Sequence, residues 1–246
     1  MHHKELPNIV SLAAEHFPEH ISKNIMSFES VIFSGLIVLA LSVFAFLTNR
    51  AVRKNKGLLF SKLQNLAEVF VDALDGFVCS ILGPHGREYV PFIGTLFIYI
   101  LCMNLIGLVP FFKSPSASWS TTMALAICVF VYLQYTALKQ LGIKGYTYHL
   151  LGKPKGIIAF SVVIPILMLM LHLVGELVRP FSLSLRLRSN IWGDEMLLGV
   201  LSGFGLQGVP LLLFNSLLSA IAAIVQALVF CLLTTIYFAL VLVHED

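Results

Sequence analysis

From Met196 to Val243 the chain runs for 48 residues without an Asp, Glu, Lys or Arg. No feature limits the fold more. A helix needs about 20 apolar residues to cross a bilayer, so this run is too long for one upright helix. It fits two spans, or long helices lying steeply tilted. Gly203, Gly205, Gly208 and Pro210 mark the natural turn within it. Four more uncharged stretches are long enough to span: Ser30–Asn49, Tyr89–Phe112, Ser114–Leu138 and Gly156–Gly175, the last carrying His172. Only 12% of residues are charged and 58% are hydrophobic. Soluble domains carry about 25% charge, and a soluble surface this apolar would aggregate.

The expectation is an all-α polytopic membrane protein, built as a single membrane domain over residues 1–246. It has about five membrane helices plus an amphipathic helix, and the last two helices form a long, tilted hairpin over 157–243. The amphipathic helix falls at 57–82. There Leu63, Leu66, Phe70 and Phe77 recur at helical spacing, with Asn65, Glu68, Asp72 and Asp75 on another face. Basic residues set orientation. Five lie in "NRAVRKNKGLLFSK" and four in "KQLGIKGYTYHLLGKPK". Two spans separate these segments, so both are read as cytoplasmic, and residues 1–26 as an outside segment. The N-terminus shows no secretory signal pattern. A net charge of +3, with its basic residues in loops, argues against a nucleic-acid partner. Cys79, Cys102, Cys128 and Cys231 have no metal-ligand spacing, so no cofactor or metal is expected.

Against this background "RPFSLSLRLRSNIWGDE", residues 179–195, stands out. A membrane-buried arginine costs about 2.5–3.5 kcal/mol on insertion scales. Arg179 can snorkel toward an interface, but Arg186 lies among Leu183, Leu185 and Leu187. At about 100° per residue, His172, Arg179 and Arg186 fall on one stripe, with Asn190 one turn further. That stripe should face water or a polar protein surface. Arg188 points to the other side, where it and Glu195 share a second polar face. In the final run Asn215, Ser219 and Gln226 lie on one face. Taken singly, each would ordinarily be helix–helix glue.

The sequence here resembles the a subunit of the F-type ATP synthase, the membrane stator that works against the rotating c-ring. "PFSLSLRLRSN" carries the likeness, together with "LGPHGREYVPFIGTLFIYILCMNLIGLVP", "STTMALAICVFVYLQY" and "QALVFCLLTTIYFALVLVHED", in order over roughly residues 28–246. The resemblance implies a proton-translocating, non-catalytic subunit of a rotary complex in a bacterial inner membrane. Its partners would be the c-ring, the peripheral stalk b subunits and the rest of the complex. Arg186 would match the essential arginine and Asn190 its polar neighbour. Gln226 would match the glutamine of the last helix, Glu195 an acidic or histidine position of the outer half-channel, and Asn104 a polar residue of an earlier span.

There are departures. Arg188-Ser189 replaces a common Phe-Gly, and Gly193-Asp194 replaces Ala-Gly. Ser219 stands where some relatives carry a histidine. His172 stands where many carry a glutamate, with Glu176 one turn later. Asp194 and Ser219 join the expected outer path, and His172 and Glu176 are the candidates for the inner one. A stand-alone ion-coupled transporter and a non-conducting assembly factor are the competing readings. No half of the chain repeats another, as transporter folds often do, and an assembly factor has no need of an unpaired arginine beside a polar stripe.

Overall fold

The computed structural model describes residues 29–53, 58–109, 112, 114–150 and 160–242. The expected outside segment at 1–26 lies outside them. Among the described residues there are six α-helices and no strand. They are α1 (Glu29–Arg53), α2 (Leu58–Leu82), α3 (Val90–Ile106), α4 (Trp119–Leu150), α5 (Phe160–Ser202) and α6 (Val209–Leu242). Short 3-10 turns fall at Gly83–Glu88, Pro115–Ala117 and Gly205–Gly208. The chain is an all-α polytopic membrane protein: α1, α4 and α6 are each long and apolar enough to cross a bilayer.

Helix ends follow local chemistry. Glu29 opens α1, where a negative charge suits the helix dipole. Pro91 sits in the first turn of α3, where no N–H is needed. The uncharged run 89–112 suggested a longer span, but α3 stops at Ile106. The N–H of Gly107 bonds the Asn104 carbonyl at 3.3 Å, tightening the last turn. α4 runs past the expected span through Lys139 to a break at Gly142 (φ 64°, ψ 167°), beyond which a second helical segment continues to Leu150. A lysine stem can lie along an apolar surface while the amine reaches water, so the charge of Lys139 does not end the helix.

α5 has 43 residues and α6 has 34. At 1.5 Å per residue they are about 64 and 51 Å long, against a hydrocarbon core of about 30 Å. The turn between them contains Gly205 at φ 58°, a conformation that favours glycine. Gly208 closes the same turn, where an added Cβ would lie only 2.7 Å from the Leu201 carbonyl oxygen.

α6 is the hub, packing on α2, α3, α4 and α5. Around it Ile93, Ile100, Met103, Leu183, Leu187, Phe230 and Phe238 are fully buried. The Phe238 ring centroid lies 4.9 Å from that of Tyr89 and 5.7 Å from that of Tyr132. The outside is apolar: Leu39, Phe46, Leu213 and Phe214 are all exposed. Such a surface is stable only against lipid or other membrane subunits.

Candidate functional site

Asn104 of α3, Asp194 and Glu195 of α5 and Ser219 of α6 come together in one cleft. On α6 the hydrophobic exterior (Leu213, Phe214, Leu217, Leu218) alternates with a buried face bearing Asn215, Ser219 and Gln226, which are 4–7% exposed. The sequence spacing had put these three on one face, and they turn inward together. α5 presents Asn190, Asp194 and Glu195 half-buried. α3 contributes Asn104, only 3% exposed. Asn104, Asp194, Glu195 and Ser219 line one cleft, walled by Ile191, Leu198 and Leu108. Its water-accessible volume is about 30 Å³. A water needs roughly 10–15 Å³ by that measure, so the cleft has room for one or two.

Five buried side-chain atoms have no hydrogen-bond partner among the described residues: Asn104 Nδ2, Asn190 Nδ2, Asn215 Nδ2, Ser219 Oγ and Gln226 Nε2. A buried polar atom left without a partner costs about 1–3 kcal/mol, and native proteins hold few of them. All five lie on α3, α5 and α6. A dry apolar interface would not select such residues, whereas a hydrated one would.

Arg186 is exposed, next to the half-exposed Leu185 and the fully buried Leu187. Among the described residues the single salt bridge joins Arg87 Nη2 to Asp75 Oδ2 at 3.3 Å, far from Arg186 in sequence. Arg179, on the same stripe, is half-buried with its guanidinium 5.0 Å from the Tyr237 ring centroid. His172 lies on α5, but its side chain is outside the described residues.

Glu176 is separate from the cleft. Gln134 Nε2, on α4, donates to its Oε2 at 2.9 Å. Pro180, four residues on, has no N–H to return to the Glu176 backbone carbonyl. Along α5, Arg186 is ten residues from Glu176 and nine from Glu195, about 15 and 14 Å on an ideal helix. It therefore stands midway between two acidic positions.

Arg188 departs from the arrangement expected with Glu195. Its Nε donates to the Ala117 carbonyl at 3.3 Å, and its guanidinium lies 5.3 Å from the Trp119 ring centroid. Trp119 also meets Phe181 edge-on, with centroids 5.8 Å apart. The charge is thus engaged with the turn before α4. Sequence reasoning missed Gln134, Ser114, Ser116 and Trp119. The polarity of Gln134 within an apolar run was the one signal that could have flagged it. The serines read as ordinary loop residues.

A model of the ATP synthase A chain family matches residues 31–239. The chain belongs to this family. It is 38% identical to ATP synthase subunit a of Protochlamydia amoebophila, covering 96% of this chain and 89% of that protein. It is 36% identical to ATP synthase subunit a 3 of Pelobacter propionicus, covering 89% of each. ATP synthase subunit a of Oleidesulfovibrio alaskensis is 35% identical over 86% of this chain and 85% of its own length. These bacterial relatives and the apolar helices together make the chain a multi-pass integral membrane protein.

Proposed function

We propose that this chain is the proton-translocating stator subunit of an F-type ATP synthase in a bacterial inner membrane. It is a non-catalytic part of that complex, working against a ring of carboxylate-bearing hairpin subunits and held by the peripheral stalk b subunits. The observation that carries the reading is the order of groups along α5: an acid held by Gln134, an exposed arginine, then a polar cleft with two acids. Two proton paths offset about a fixed charge require such an order.

The outer path runs through Asn104, Asp194, Glu195 and Ser219, which share the cleft, and continues through Asn190 and Gln226, whose buried amide nitrogens have no partner among the described residues. Glu176 and His172 belong to the inner path. A ring carboxylate must release its proton on one side of a barrier and accept one on the other. An opposite charge within about 4–6 Å favours the ionised carboxylate. Arg186 therefore promotes release as a ring site arrives. The same charge repels a proton that would cross directly from one path to the other. Arginine suits this position because it stays charged when desolvated, whereas lysine gives up its proton more readily. Each proton moved down the membrane potential supplies about 2.3 kcal/mol per 100 mV, and the offset of the paths turns that into rotation.

The contact itself is testable by cross-linking. Leu185→Cys, one residue from Arg186 and on the exposed side, should form a disulfide with a cysteine placed near the carboxylate of the ring subunit. No cross-link there, alongside efficient cross-linking from α1, would turn the wrong face toward the ring.

A further inference from the structure

The cleft is bounded on one side by the turn before α4. Ser114 and Ser116 flank and enter the 3-10 turn Pro115–Ala117, and they are 3% and 0% exposed. Ser114 Oγ donates to the Met103 carbonyl at 2.7 Å. In a continuing helix that carbonyl would accept from Gly107, but the Gly107 N–H bonds Asn104 instead. Ser114 therefore caps the end of α3 from outside the helix. Ser116 Oγ donates to Asn104 Oδ1 at 2.9 Å, and the two serine oxygens lie 3.3 Å apart. The Ala117 carbonyl of the same turn takes the Arg188 N–H at 3.3 Å. The turn is thus tied to α3 by two hydroxyls and to α5 by a guanidinium.

The consequence falls on Asn104. A carboxamide can rotate to present either its oxygen or its NH₂. Ser116 occupies the oxygen, so the buried, unpartnered Nδ2 is the end left to meet the contents of the cleft that Asn104 lines. We propose that Ser116 is a positioning residue for proton transfer: its hydroxyl holds the Asn104 carboxamide with the NH₂ turned to the cleft. There it donates to a water or a carboxylate oxygen on the outer path. A donor fixed in this way favours the ionised form of an acid that must hand its proton on.

This inference rests on the outer-path reading above, and the experiment separates the two. ATP-driven proton pumping is measured in inverted vesicles for S116A, S116T, N104A and the S116A/N104A pair, each normalised to assembled complex. R186A serves as the control for the wider reading. Loss of one such hydrogen bond should slow pumping by about three- to tenfold in S116A, while S116T, which keeps the hydroxyl, restores most of the rate. S116A should add nothing once Asn104 is alanine, so the effects should be non-additive. A merely structural serine would lower the amount of complex and leave the rate per complex unchanged. If S116A does not assemble, S116C carries the same test, being near in shape with a much weaker donor. A wild-type rate in assembled S116A, or multiplying effects in the double variant, overturns the positioning role. Wild-type pumping in N104A overturns it as well, while a dead R186A in the same series leaves the stator reading standing.

Discussion

Arg188 offers a quantitative test of how α5 is held against the rest of the bundle. Replacing it with methionine keeps the stem and removes the charge. Two interactions go with it. The bond from Nε to the Ala117 carbonyl is long, at 3.3 Å, so about 1 kcal/mol is reasonable, below the 1.5–3 of a well-formed charged bond. The stack on Trp119, at 5.3 Å and half-buried, adds about 1 kcal/mol. R188M should therefore destabilise the chain by about 2 kcal/mol, which raises the opened fraction roughly 30-fold. Cys231 provides the readout, since it is 1% exposed and its thiol contacts the Ile93 carbonyl at 3.6 Å. With Cys79, Cys102 and Cys128 replaced by alanine, a thiol-reactive dye should label Cys231 in proportion to opening. W119L should also accelerate labelling, because it loses the Phe181 contact as well as the cation. The double variant should fall short of the product of the two effects, with a coupling of about 0.5–1 kcal/mol. Strict additivity, or labelling of R188M at the wild-type rate, would refute the assignment of Arg188 to this contact.

Other substitutions test other parts of the frame. Gly208→Ala forces a Cβ to within 2.7 Å of a backbone oxygen and should cost about 1–3 kcal/mol. Gly76→Ala meets nothing within 4 Å and should be neutral or stabilising; labelling of Cys231 reads both. Gln134→Leu takes one donor from Glu176 and should lower the yield of assembled protein in membranes, as expected for about 1–3 kcal/mol. Glu195→Gln removes a group able to accept and release a proton and should slow ATP-driven pumping by about 10²-fold. Unchanged pumping would take Glu195 off the path.

Much of the fold was legible because a bilayer leaves few choices. Uncharged runs of spanning length can only be helices there, and the glycines at 203–208 told where the last run folds back. The ends were less legible. α3 is shorter than its apolar run because a tight turn at Gly107 and the hydroxyl of Ser114 finish it, and both depend on tertiary contact. α4 is longer because Lys139 does not stop a helix, which breaks only at Gly142. At the site, periodicity on α6 was enough to group Asn215, Ser219 and Gln226. Spacing along α5 puts Arg186 and Asn190 on one stripe, where the first is exposed and the second half-buried. What no spacing within one helix reveals is which helices meet. Asn104 is 90 residues from Asp194, yet both line one cleft. Arg188 read as company for Glu195 on α5, but across the bundle it finds Trp119 and Ala117.

In the proposed mechanism Arg186 carries the charge that separates two proton paths, and this role is open to direct test. It is tested most directly by ATP-driven acidification of inverted membrane vesicles, comparing wild type with Arg186→Ala at equal levels of intact complex. Pumping should be abolished in the variant while the complex remains assembled. Pumping near the wild-type rate would contradict it and would remove Arg186 from the mechanism.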